Sequence, residues 1–240
     1  MPAILLPVSG VLAGWLGACL TGRAHPEEMQ QALDTATNGE MVHLVTGLDP
    51  EPLSLVLALG RFRSSGAAGA ALALPVPGDL AGLAGPPTFN HRALEAGEAV
   101  LVVGAGLGLV PEYAEEVVTW HAVPAERPRP LDPQEADGTL RTTLLETTRR
   151  LVELDVARWR PEIADVLGNL RHRAPAPLPR DFGAPRIASV DRAILCLEVV
   201  ELARSTEGAA VSVHEIQERH AALAPLGRAA RHALVAACSG

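Results

Sequence analysis

Val100-Leu101-Val102-Val103-Gly104-Ala105-Gly106-Leu107-Gly108 is the stretch on which the fold turns. Four apolar residues, three of them β-branched, read as a buried strand. The glycines that follow suit either a phosphate-binding turn or a plain connection between strands. A dinucleotide-binding turn needs a third small residue where this chain has Leu109. It also needs a helix whose N-terminus receives the pyrophosphate. Pro111 comes too early for that helix, and the next strand pattern already begins at Val117. The stretch is therefore expected to join two strands directly, which places the chain in the α+β class. Glu126 falls near the spacing of a ribose-binding acid, but without a crossover helix the spacing carries no weight.

The flanking sequence supplies the other elements. Met41–Thr46, Ala70–Leu74 and Val117–Val123 read as further strands, giving a small central sheet of about four. Helices are expected over 9–21, 26–37, 53–64 and 90–96. His25-Pro26-Glu27-Glu28 marks one start, with proline in the first turn and acids at the positive end of the dipole. Pro-rich residues 124–133 suggest a boundary between an α+β region, 1–125, and a helical half, 126–240, packing on it. In that half a long amphipathic helix follows the stripe Leu140, Leu144, Thr148, Leu151 and Asp155. A second Pro-rich linker spans 174–185. Three helices then follow over 187–204, 213–223 and 226–238, the second opened by a capping box at Ser212 and Glu215.

Composition removes whole classes of chemistry. All 20 basic residues are arginine. Without lysine there is no Walker A loop and no Schiff-base amine. The net charge is −8, and residues 40–125 carry most of it, with 3 Arg against 9 acids. No segment is strongly basic, so nucleic acid is not the favoured partner. Aromatic residues make up only 3% of the chain, so Leu, Val and Ala must fill the core, and alanine packs well only where helices approach closely. Cys19, Cys196 and Cys238 are an odd number of thiols in apolar runs and are expected to be buried and unpaired. Leu16-Gly17-Ala18-Cys19 imitates a lipoprotein cleavage box. The first 22 residues hold no cation and Pro7 interrupts the apolar run, so a core helix is expected instead. No run of about 20 apolar residues reaches across a membrane.

Several fragments imitate catalytic motifs. Asp181-Phe182-Gly183 has the kinase tripeptide but none of its companions. His214 and His220 are six apart, not the four that would put both on one helical face to hold a metal, and His220 continues an apolar stripe. Glu198 and Glu201 fall opposite an arc containing Leu195, Cys196, Val199 and Val200, and read as a solvated face. Arg158-Trp159-Arg160, with Asp155 and Glu162 beside it, is denser in specific chemistry. Arginine stacks on tryptophan and pairs with acids, which suits a structural network or a docking corner for an acidic or phosphate-bearing partner.

The phrases Leu74-Pro75-Val76-Pro77-Gly78-Asp79, Leu107-Gly108-Leu109-Val110-Pro111-Glu112 and Leu154-Asp155-Val156-Ala157-Arg158-Trp159-Arg160-Pro161 resemble those of an uncharacterised family from high-GC Gram-positive bacteria. The resemblance covers most of the chain. It implies a cytoplasmic location, and no activity or site residue comes with it.

The sequence thus leads to a non-catalytic cytoplasmic protein that binds another protein or a ligand. Its candidate surface joins the loops 75–87 and 104–112, with Asp79 and Glu112, to the corner at Arg158, Trp159 and Arg160. No catalytic residue, metal site or cofactor is assigned. Another protein or a second copy of the chain is an admissible partner. Two other readings follow from specific features. One is an enzyme with a pocket at the same glycine-rich loops, which Asp79, Glu112, His91 or His121 converging in a cleft would favour and their scatter would sink. The other is a helix-turn-helix in 187–238 that would present Arg228, Arg231 and His232 to DNA.

Overall fold

The strand Gly69-Ala70-Ala71-Leu72-Ala73 is buried at every residue, so both faces of the sheet are covered at its edge. The computed structural model describes residues 6–153, 176–205 and 213–240. Along the chain the elements are α1 (Val8–Leu20), α2 (Pro26–Ala36), β1 (Val42–Thr46), β2 (Leu53–Ser54), α3 (Leu55–Ser64), β3 (Gly69–Ala73), α4 (Pro87–Ala96), β4 (Ala99–Val103), β5 (Leu107–Ala114) and β6 (Val117–Pro124). Then come α5 (Pro133–Glu153), α6 (Ala184–Ser205) and α7 (Val213–Cys238). The strands form one mixed sheet in the order β2-β1-β6-β5-β4-β3. Only β1 and β6 run parallel.

The fold is α+β, as expected, but its described residues hold six strands rather than about four. The largest omission is β5, which Gly108 and Pro111 disguise. Pro111 is tolerated because β4 pairs with β5 only as far as Leu109. Beyond that point β5 has β6 alone as a neighbour, and a missing N–H costs no ladder bond on the open side. The glycine turn joins β4 to β5 directly, with Gly104 and Gly106 both at positive φ and Ala105 N–H donating to Val102 C=O at 3.2 Å. No helix follows it, so the dinucleotide-binding geometry is absent from this turn.

Alternation sorts the side chains between two cores. Ala70, Leu72, Val100, Val102, Leu109, Val118 and Trp120 face the main core, which α1, α2, α3 and the C-terminal helices close. Ala71, Ala73, Ala99, Leu101 and Val110 face a smaller one, where α4 supplies Phe89 and Ala93. The shortage of aromatics is met by close approach. Gly10, Gly14 and Gly17 lie along one side of α1. A Cβ on Gly10 would fall 2.9 Å from Leu6 and 3.6 Å from Leu72; on Gly14 it would fall 3.1 Å from Phe182; on Gly17, 3.6 Å from the Ala70 backbone. α7 closes the same edge. Ala70 N–H donates to Gly240 C=O at 3.1 Å, Gly240 N–H donates to Ala70 C=O at 2.9 Å, and Leu72 N–H donates to Ser239 Oγ at 3.0 Å.

In the C-terminal half, 213–223 and 226–238 are not two helices but one continuous helix, α7, with Pro225 inside it. Proline removes one hydrogen bond from a helix interior, a penalty of roughly 3 kcal/mol. Burial of Leu223, Leu226, Ala230, Ala233 and Leu234 outweighs it. The break that a helix-turn-helix reading needs at this point does not exist. The solvated face assigned to α6 also needs correction: Glu201 is exposed, but Glu198 is buried and Leu195 is 40% exposed. Packing of α6 against both α5 and α7 rotates the covered arc toward Glu198. Asp181-Phe182-Gly183 is a lead-in to α6. Phe182 is buried under the Arg186 guanidinium, which lies 3.7 Å from its ring centre. The sites Arg158, Trp159, Arg160, Asp155, Glu162 and Ser212 lie outside the described residues. Among the described residues, no helix is long and apolar enough to cross a membrane.

All three cysteines are buried and free. Burial pushes the thiols up, to about 11 for Cys19 and Cys196 and about 12 for Cys238. Cys19 therefore belongs to the α1 core. Thiolates are the reactive species, so none of the three should react with Ellman's reagent in the native protein, and all should react once it is denatured. Prompt reaction of even one native thiol would contradict this packing. At Gly108, a Cβ would fall 2.3 Å from the Phe89 ring. Gly108→Ala should cost about 1–3 kcal/mol in urea unfolding, and the added Phe89→Leu change should recover part of that loss.

Candidate functional site

The β3 strand is stopped by Val76-Pro77-Gly78-Asp79. Proline followed by glycine suits the two central positions of a type II turn, and Gly78 has a φ of +83°. Val76 and Asp79 exchange both backbone hydrogen bonds, each at 2.9 Å. This tight turn projects the Asp79 carboxylate onto α7. There Arg231 Nη2 donates to Oδ2 at 3.1 Å and His232 Nε2 donates to Oδ1 at 2.9 Å. The Asp79 side chain is 10% exposed, and Arg231 is 16% exposed. Burial would raise the carboxyl, but the hydrogen bonds and charges of His232 and Arg231 outweigh it and hold Asp79 below its ordinary value. A carboxylate only accepts, so His232 carries a proton on Nε2.

His232 also borders a groove of about 560 Å³ between the start of α5 and the middle of α7. Small and apolar groups make its bed, among them Ala136, Ala221, Ala224 and Pro225. Arg228 and His232 stand on the α7 side, Asp132 and Glu135 on the α5 side. Asp132 Oδ1 accepts from the N–H groups of Gln134 and Glu135 at 2.9 and 2.8 Å, which caps α5 and fixes the acidic rim. On the other side, Pro225 has no N–H to give, so the Ala221 carbonyl, one turn earlier, lacks its helical donor. Ala221, Ala224 and Pro225 all line the groove. An apolar trough thus lies between charged groups at both rims.

The residues singled out from sequence are distributed as follows. Asp79 sits beside this groove. Glu112, on β5, pairs with His121 of β6 at 2.6 Å, and His121 Nδ1 meets Thr46 Oγ1 at 3.1 Å. His91 pairs with Glu95 one turn along α4, at 3.4 Å. Of these four groups Glu112 and His121 meet each other, while Asp79 and His91 stand apart with partners of their own, so the four make no common cluster. The turn at 104–106 has a small pocket of about 310 Å³ with Glu126 and Arg127, and neither Asp79 nor Glu112 lines it. Arg231 and His232 were visible in the sequence only as residues of a supposed recognition helix. What identifies them is their tie to a turn about 150 residues away, and no local pattern reports such a tie. Proline inside an otherwise unbroken apolar periodicity, from Leu223 to Leu234, was the available signal for the groove.

Two domain descriptions match the chain. Residues 9–136 match the family described as Rv1486c-like protein, N-terminal domain, and residues 134–235 match its C-terminal domain. The uncharacterized protein Rv1486c of Mycobacterium tuberculosis H37Rv is 37% identical over 125 residues, which covers 43% of this chain and 43% of that protein. The uncharacterized protein ML1804 of Mycobacterium leprae is 33% identical over 134 residues, covering 43% of this chain and 44% of its own length. The chain thus spans less than half the length of these curated relatives in the matched stretches. No solved structure matches it.

Asp79→Asn should destabilise the protein by about 1–3 kcal/mol at neutral pH, because it removes the negative charge and replaces one of the two acceptor oxygens, facing Arg231 and His232, with a donor. The pH dependence follows from the lowered carboxyl. The contribution is complete above the ordinary value of 3.8 and is lost as pH falls through the lower folded value. Urea unfolding of both proteins from neutral pH down to about pH 2.5 should show the gap closing below about pH 4. A gap that stays constant over this range would mean that the ion pairs contribute nothing.

Proposed function

We propose that this chain, which belongs to the Rv1486c-like family, is a non-catalytic cytoplasmic binding protein whose ligand seats between α5 and α7. The observation that carries the reading is the groove itself. Its bed is small and apolar, and charged groups stand on both of its rims. An apolar body fits that bed, and a polar end can meet Arg228 and His232. A cavity of this size is in the range that takes small ligands. The Asp79–Arg231–His232 cluster then acts as a brace. It ties the α7 wall to the turn after β3, so the groove is pre-formed and less ordering accompanies binding.

The same reading gives the two parts of the chain different work. Residues 1–125 form the sheet scaffold, and residues 126–240 supply both groove walls. The distance of Asp79 and His91 from the exposed Glu112–His121 pair supports binding over catalysis. The continuity of α7 and the engagement of Arg231 with Asp79 weigh against the DNA-binding reading.

A direct test uses an apolar fluorescent anion, 1-anilinonaphthalene-8-sulfonate, as the probe. Its binding should shift the methyl resonances of Ala221 and Ala224. Ala224 is exposed, so Ala224→Trp fills the trough with little effect on the fold. The variant should bind the probe at least about tenfold more weakly while its melting temperature stays within a few degrees. Unchanged probe affinity in a folded Ala224→Trp protein would place the ligand elsewhere.

A further inference from the structure

On the opposite side of the sheet, β1 ends without full cover. Its outer neighbour β2 is only two residues long and pairs with Leu44 and Val45 alone. After Ser54 the chain turns at once into α3, with Ser54 Oγ accepting from Leu57 N–H at 3.4 Å. The β1 edge from Met41 to His43 therefore has no strand beside it among the described residues, and Val42 is 59% exposed. It borders a cleft of about 760 Å³, between the end of α2 and the start of α3. Sheet edges left open are templates for another strand unless charge, proline or a covering element blocks them.

Here the surrounding charge is of one sign. Asp34, Glu40, Glu115 and Glu116 line the cleft, and no arginine does. None is near in sequence either, since the chain has no basic residue other than His25 and His43 between Arg23 and Arg61. A third observation comes from His43, also in the lining. Its Nδ1 accepts from Trp120 Nε1–H at 3.2 Å, and the two rings stack at 6.2 Å. A neutral imidazole with an accepting Nδ1 carries its proton on Nε2. That Nε2 is buried and has no partner in the protein. Burial also holds the His43 pKa below its ordinary value, so the neutral form is the one present at physiological pH.

We propose that the β1 edge at Met41–His43 accepts an extended basic peptide segment of a partner protein, which adds to the sheet in line with β2. Main-chain hydrogen bonds to the open edge would supply a sequence-tolerant part of the affinity. The arginine or lysine side chains of the segment would meet Asp34, Glu40, Glu115 and Glu116, which select for charge and speed the encounter. The His43 Nε2–H is a donor for a carbonyl of the segment. This face lies beside β1 and β2, away from the α5–α7 groove, and the inference stands independently of the ligand proposed there.

The test uses a fluorescent heptapeptide that alternates arginine and valine, and three controls: its glutamate counterpart, the same basic peptide N-methylated at alternate residues, and spermine. Binding is followed by fluorescence anisotropy, and the contact surface by amide shifts of the protein. The basic peptide should shift Met41 to Leu44 and bind at least about tenfold more tightly than the glutamate peptide. N-methylation should remove most of that affinity, because it removes the strand's donors. Glu40→Gln with Glu115→Gln and Glu116→Gln, all at exposed positions, should weaken binding about tenfold without lowering the melting temperature. Equal binding of the N-methylated peptide, or spermine shifting the same amides with equal affinity, would reduce the cleft to a simple cation site and overturn the proposal. So would amide shifts confined to other strands, or no binding at all.

Discussion

The constraint on which the rest of this structure depends is the distance at which α1 can lie on β3. Gly10 and Gly17 bring the helix down onto a strand made of glycine, alanine and one leucine, Leu72, while Gly14 makes room for Phe182. A chain so poor in aromatics cannot fill a wide gap between layers, so it narrows the gap. Dispersion falls steeply with distance, and small side chains recover in proximity what they lack in surface. Everything stacked around this edge inherits the arrangement: α7 against β3, the turn at 76–79 that leaves β3, and Asp79, which meets α7 only because α7 is so near. Such a core responds to substitution in an unusual way. At its glycine and alanine positions there are few atoms to lose, so damage there comes chiefly from added volume.

The legibility of the fold follows the same logic. Elements built from strong periodicity or clear start signals were readable: α1, α2 with its His25-Pro26 start, and the four strands with β-branched or apolar runs. The glycine turn after Val103 was correctly separated from a nucleotide loop because spacing is a local property. β5 was hidden because its glycine and proline are read as breakers, while their tolerance depends on two tertiary facts, the Phe89 ring over Gly108 and the early end of β4. Pro225 was misread for the same reason. Its effect on α7 depends on how much of that helix is buried, and a helix wheel without its neighbours does not contain that information.

The candidate site was legible by halves. Asp79 was selected from a proline-glycine turn, and the structure gives it two partners. Those partners stand out in the sequence only under the alternative that would present their helix to DNA. Glu112 was selected with it, yet it belongs to a surface pair with His121 two strands further in. Residue type and local spacing suggest which groups can do chemistry. Which of them meet is decided by the order of strands and the docking of helices. His43 shows the limit most plainly, since nothing in Met41–Thr46 distinguishes it until Trp120 is placed beside it.

The closure of the β3 edge by Ser239 and Gly240 bears on how the chain is made. Leu72 and Ser239 are 167 residues apart. On the ribosome, β3 and β4 can pair soon after they emerge, but the outer edge of β3 lacks these partners until the 167 residues from Leu72 to Ser239 have been synthesised. For that interval an apolar, alanine-rich strand presents its open side to the cytosol or to its neighbours on the same message. Contacts of such long sequence separation form slowly, and exposed edges in the meantime invite association between nascent chains. The small-residue packing that makes the finished core tight thus transfers the burden of protection to the period of synthesis, where a holding chaperone would have the most to do.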